Sequence, residues 1–170
     1  MLLVSHAPPM IPLDNPADSP CFGCGPKHPR GLHLSFARGK AADGSEEVFC
    51  EYVPKSDEIG WPGLLHIGLF FMVMMETSYW TALTLTGKVM TVSGPTTFES
   101  VRLPRVGIPF RTRARITSRD PMGVHILCSS EGSTGKTHGT LESSWRPASR
   151  SAVERAGLSL PAYLLEDMEP

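Results

Sequence analysis

The sequence predicts an α+β domain in which one antiparallel β-sheet wraps around a single long helix. Three observations predict it. Residues 66–86 are the one long segment with helical character; they contain no proline and run into Gly87, a natural C-terminal stop. Two strand-like segments precede that helix and four follow it, with Gly, Pro or Asp between the later ones. The links are short, and consecutive strands joined by tight turns usually pair as antiparallel neighbours.

Residues 1–20 carry five prolines between Pro8 and Pro20. Proline lacks the N–H that a helix or a ladder needs, so an extended or mobile, flexible arm is expected. The body is expected over residues 21–146. Residues 31–36 alternate, with Leu32, Leu34 and Phe36 on one face, and read as a strand. Residues 47–53 repeat the pattern, with Val48, Cys50 and Tyr52 opposed to Phe49, Glu51 and Val53. A turn-rich stretch over 54–63 leads into the helix. The first half of that helix is apolar on every face, which predicts burial all round. Further strands are expected over 89–101, 109–118, 123–131 and 137–145. The tail, residues 147–170, is expected to hold a short helix: Ser151 and Glu154 fit a capping box, Gly157 a stop, and Pro161 prevents continuation.

Composition narrows the function. The chain has 170 residues, 16 Lys+Arg against 17 Asp+Glu, and a net charge of −1. A general nucleic-acid binder needs a positive surplus that is missing here. At this length one domain buries roughly 70% of its unfolded surface, enough for a core without disulfides or a structural metal. The four cysteines do not resemble a small secreted scaffold. The N-terminus has neither a basic segment nor a sustained apolar one, and no run reaches the length of a membrane span. A cytoplasmic protein without nucleic-acid or membrane partners is the expectation.

Four features bear chemistry. Residues 60–68 place Gly63 and Gly68 around the helix start, where unpaired N–H groups and the dipole hold an anion or polarise a carbonyl; the plainer alternative is a tight turn. Glu76 is the first charge in an apolar helix, so its carboxylate must be paired, hydrogen-bonded, protonated or facing a cavity. Burial raises such a carboxyl towards the range of a general base. Gly68 and Glu76 stand about 12 Å apart along one helix, so one reacting carbonyl would meet both only across two antiparallel helices of a dimer. Arg111, Arg113 and Arg115 share a strand face and suit either a phosphate-bearing ligand or solvent. Cys21 and Cys24, with His28 and His33 following, make half a zinc site, but no second pair completes it. A packed turn and no bound metal are the expectation. Cys50 and Cys128 read as small core residues.

The stretches Cys21-Phe22-Gly23-Cys24-Gly25-Pro26, Pro29-Arg30-Gly31-Leu32 and Gly60-Trp61-Pro62-Gly63-Leu64-Leu65-His66-Ile67-Gly68 resemble the hotdog-fold acyl-CoA thioesterase superfamily, in its phenylacetate-pathway and 4-hydroxybenzoyl-CoA branch. The resemblance covers residues 21–146. It implies a homodimer, often paired again into a tetramer, with active sites at the dimer interface. It implies a thioester carbonyl polarised at Gly68 with Ile67 beside it, after His66 and near Trp61. It also implies an acid on the partner's helix and CoA phosphates near basic side chains such as Arg111, Arg113 and Arg115. No cofactor is implied beyond the coenzyme A of the substrate. Two departures stand out. The usual His-Gly-Gly is His66-Ile67-Gly68, and the usual acid position holds Met75, with Glu76 one residue on.

Three functions follow. In the leading one, a small or medium acyl-CoA is hydrolysed with Glu76 as general base and the Gly68 N–H as oxyanion donor. In the second, Met75 marks a non-hydrolytic protein that binds acyl-CoA or another apolar ligand. In the third, His66 and Glu76 serve a hydroxyacyl-thioester dehydratase.

Overall fold

The computed structural model describes residues 10–155 and 168. In chain order these form β1 Ile11–Leu13, β2 Phe36–Lys40, β3 Glu46–Tyr52, β4 Ile59–Trp61, β5 Leu64–Leu65, α1 Ile67–Thr86, β6 Met90–Val92, β7 Thr97–Ser100, β8 Phe110–Asp120, β9 Gly123–Gly132, β10 Thr137–Pro147 and α2 Arg150–Arg155. The main sheet runs β1-β2-β3-β8-β9-β10-β6, and β7 also pairs with β10. Every pairing is antiparallel. Strands β4 and β5 form a separate small hairpin. With α1 lying in the concave face of the sheet, this is the hotdog fold.

Alternation along the strands explains the wrap. Phe36, Val48, Cys50, Phe110, Ala114, Ile126, Cys128 and Leu141 point inwards and are buried. From α1, Phe70, Val73 and Met74 meet them and are fully buried. Each such side chain contributes roughly 1.5–3 kcal/mol relative to exposure. The second half of the helix packs through hydroxyls. Thr77 shares a 2.7 Å hydrogen bond with Thr112 on β8 while donating back to the Val73 carbonyl. Thr81 and Ser78 return their hydroxyls to the carbonyls of Thr77 and Met74, so none of these buried oxygens lacks a partner.

Helix α1 starts and stops as its sequence dictates. His66 is the N-cap; its Nδ1 accepts from the Gly68 N–H at 3.0 Å. Gly87 ends the helix with φ of 70°, and its N–H donates to Leu83.

Five expectations need correction. Residues 31–35 are not strand, although Leu32 and Leu34 are buried as the alternation requires. His33 takes a φ of 52°, which breaks the ladder, and β2 begins only at Phe36. Within the proline-rich arm, residues 11–13 are not loose: they pair as an edge strand, where a proline without N–H is tolerated. Asn15 then fastens the segment by donating to the carbonyls of Cys24 and Leu34. The segment 89–101 splits into β6 and β7, because residues 93–96 interrupt one broken edge strand along β10. The cap of α2 is Ser149, whose Oγ accepts from Ala152; Ser151 already lies inside the helix, while Gly157 and Pro161 lie outside the described residues. Finally, α1 is not buried all round. Ile67 is 50% exposed, and Phe71, Met72 and Met75 are half-buried, because the sheet of one chain covers only one side of the helix.

Candidate functional site

The start of α1 is held by a frame of backbone bonds. Gly63, with φ of 75°, turns the β4–β5 hairpin. The His66 N–H donates to Glu58 O, Leu65 N–H to Pro104 O, and Val106 N–H to Gly63 O. Glu58 is itself buried and fixed, accepting from the Tyr52 hydroxyl at 2.6 Å and from the Lys55 N–H at 2.9 Å. Gly60 leaves room for His66: a Cβ there would stand 2.9 Å from the His66 Cα. The result is an open helix end. Gly68 is exposed, and its N–H is met by the His66 imidazole. Trp61, 72% exposed, stands at the hairpin tip, and Ile59 and Ile67 are exposed on the same frame.

The middle of α1 is built differently. Glu76 is half-buried and points into the turn 21–24. The Cys21 thiol donates to Glu76 Oε1 at 3.7 Å. One sulfur from each of Cys21 and Cys24 and one Glu76 oxygen lie within 4.8 Å of one another. Gly23 makes the contact possible, since a Cβ there would stand 2.6 Å from Glu76 Cδ. Glu76 Oε2 is buried with no hydrogen-bond partner among the described residues. Burial pushes the Glu76 carboxyl above its ordinary range, against the hydrogen bonds from Cys24 and Cys21. Burial, and then the neighbouring Glu76 charge, push the Cys24 thiol far up.

Helical geometry separates Glu76 from Met75. Gly68, Met72, Met75 and Tyr79 follow one stripe at spacings of four, three and four. Met75 therefore lies on the partly covered flank that Gly68 heads, whereas Glu76 is turned by about 100° towards the N-terminal turn.

The arginine row is not brought to this helix. Phe110, Thr112 and Ala114 of β8 face α1, so Arg111, Arg113 and Arg115 occupy the opposite sheet face. Each meets a carboxylate: Arg111 with Glu51 at 3.6 Å, Arg115 with Asp43 at 3.7 Å, and Arg113 with Glu131. The row is a charge-balanced outer surface. His28 packs edge-on against Phe22, and His33 bonds the Gly25 carbonyl, so neither histidine joins the cysteine turn. Cys50 and Cys128 are buried core residues, as expected.

What sequence reasoning missed is the meeting of Cys21 and Cys24 with Glu76. The available signal was the pair itself: half a metal-type motif without its other half, and a lone helix carboxylate without a partner.

No family model and no curated protein matches the chain. Solved structures do. A thioesterase superfamily protein superposes with a TM-score of 0.64 at 15% identity, over 76% of this chain and 60% of that one. The Escherichia coli PaaI protein, from the phenylacetic acid degradation operon, gives 0.60 at 11% identity, over 69% of this chain and 80% of its own. A Streptococcus mutans protein bound to acetyl-CoA gives 0.56 at 10% identity, over 60% of this chain and 81% of its own. The chain thus spans less than two thirds of the first of these and most of the other two. At such identities the shared property is the fold. The chain is a hotdog-fold protein. Among the described residues, no helix is long and apolar enough to cross a membrane.

Proposed function

We propose that the chain hydrolyses an acyl-CoA-type thioester at a site shared by two subunits of a homodimer. The observation that carries this reading is the half-covered flank of α1. An open helix end with the Gly68 N–H heads a stripe of half-buried side chains, Met72, Met75 and Tyr79, which one chain covers only in part. A second copy laid antiparallel along that stripe would bury it. It would also bring the partner's helix middle to the level of Gly68, the geometry that spacing along one helix denies.

The chemistry then follows. The thioester carbonyl displaces the His66 imidazole from the Gly68 N–H, which stabilises negative charge as it develops on oxygen. Water adds to the carbonyl carbon and its proton passes to the second subunit's Glu76; in each chain Glu76 Oε2 has no protein partner among the described residues. The tetrahedral intermediate collapses, the carbon–sulfur bond breaks, and the thiolate recovers the proton from the Glu76 carboxyl. The products are a carboxylic acid and free CoA thiol. The acetyl-CoA held by the Streptococcus mutans neighbour supports the ligand class.

A second reading is favoured by one observation: Met75, not Glu76, lies on the open stripe. On that reading the cavity binds an acyl-CoA and leaves it intact. Thiol release from a panel of acyl-CoAs, with calorimetric binding on the same samples, separates the two. Hydrolysis predicts turnover; binding without turnover sinks it in favour of the second reading.

A further inference from the structure

We propose that Cys21, Cys24 and Glu76 form a binding site for a thiophilic divalent cation of the zinc class. The donor set fits. Two sulfurs from one Cys-x-x-Cys turn and one carboxylate oxygen from α1 lie within 4.8 Å of one another. A tetrahedral zinc with bonds of about 2.3 Å to sulfur and about 2.0 Å to oxygen sets an S···O edge of roughly 3.5 Å. The Cys21 Sγ to Glu76 Oε1 distance is 3.7 Å, so little movement closes the site.

The turn is built for close approach. A Cβ at Gly23 would strike Glu76, and one at Gly25 would stand 2.4 Å from the Cys21 nitrogen and the Ser19 carbonyl. The Gly25 N–H donates to Cys21 O at 2.9 Å, and the Leu32 and Leu34 N–H groups hold Phe22 O and Gly23 O. A separate observation points to a ligand: Glu76 Oε2 is buried with no hydrogen-bond partner among the described residues. A buried carboxylate oxygen without a partner is costly unless water or an ion satisfies it.

Three protein donors leave a fourth position for water, the pattern of zinc sites that do chemistry. The site thereby deepens the proposed hydrolysis and rests on that reading in this respect only. With an ion bound, Oε1 would be its ligand and Oε2 would remain free to accept a hydrogen bond, and the ion would supply an acidified water. Binding itself releases protons, because the two thiols and the carboxyl must ionise.

The test is cobalt titration of the reduced full-length chain after chelator dialysis. The expected result is a thiolate-to-cobalt charge-transfer band and visible bands of tetrahedral intensity, saturating at a single ion per chain. Zinc should displace the cobalt and raise the melting temperature of wild type. Cys21→Ser, at the half-buried position, should lose the charge-transfer intensity of one sulfur, and Glu76→Gln, which replaces an anionic oxygen ligand by a neutral amide, should weaken binding measurably. Absence of a charge-transfer band, or a band unchanged in Cys21→Ser, overturns the site. Should Cys21→Ser fail to fold, cobalt and zinc binding to wild type and Glu76→Gln still decide it. Thiol release is scored separately. Release without cobalt uptake removes the metal site and leaves the hydrolysis standing, and uptake without release does the reverse.

Discussion

The start and the middle of α1 carry the two halves of the proposed site, and they are made in opposite ways. At residue 68 the working group is a backbone N–H, offered by any helix end and positioned by neighbouring backbone bonds to the β4–β5 hairpin. It is exposed, and a single imidazole satisfies it. At residue 76 the working group is a carboxylate. Its position depends on a turn more than fifty residues earlier, on a glycine that makes way for it, and on two thiols. The first half tolerates side-chain change so long as the helix is capped. The second depends on tertiary packing, and small changes there move the reacting atom.

That contrast is broken most sharply at Gly23. Gly23→Ala puts a methyl 2.6 Å from Glu76 Cδ, so the carboxylate must swing out of the turn. Overpacking of this kind costs about 1–3 kcal/mol. Urea unfolding should show a lower midpoint, and thiol release should fall although the substituted residue touches no substrate. Equal stability and full activity would mean that Glu76 is not held by the turn.

The same contrast explains what could be read in advance. Helix α1 and its Gly87 stop were legible, because length, absence of proline and a left-handed cap are local signals. The inward alternation of residues 32–36 was legible, but the strand was not, since His33 leaves the β region while its ring bonds the Gly25 carbonyl, a partner that only the fold supplies. The Gly68 helix start was visible as a motif. Glu76 was visible only as an anomaly, because its partners Cys21 and Cys24 arrive through folding. The arginine row was correctly placed on one face, but Asp43, Glu51 and Glu131, which neutralise it, come from other strands and a loop.

A smaller effect is expected at the helix start. His66→Ala removes the cap and should cost about 1 kcal/mol, whereas His66→Asn, itself a good cap, should recover most of it. Denaturant midpoints at unchanged slope measure this. No difference between Ala and Asn would show that the imidazole is not the cap that matters.

The smallest effect lies on the outer sheet face. Glu47 is 4% exposed, with one carboxylate oxygen lacking a partner among the described residues. Burial raises its carboxyl above the ordinary range, partly offset by Arg113 and Arg115. The folded chain therefore holds this proton more tightly than the unfolded one. Its contribution to stability is full below the ordinary carboxylate range and declines as pH rises through the folded value. Glu47→Gln should flatten that decline and melt higher than wild type at neutral pH. Parallel melting curves between pH 4 and pH 7 for both proteins would contradict it.

The central claim is that Glu76 performs the chemistry on a thioester held at Gly68. Its most direct test is thiol release from acyl-CoAs by wild type and Glu76→Gln, with fold and dimer checked by circular dichroism and sedimentation. The account predicts turnover by wild type and a loss of about a hundredfold or more in kcat for Glu76→Gln. Turnover that is unchanged in a folded Glu76→Gln dimer would contradict it.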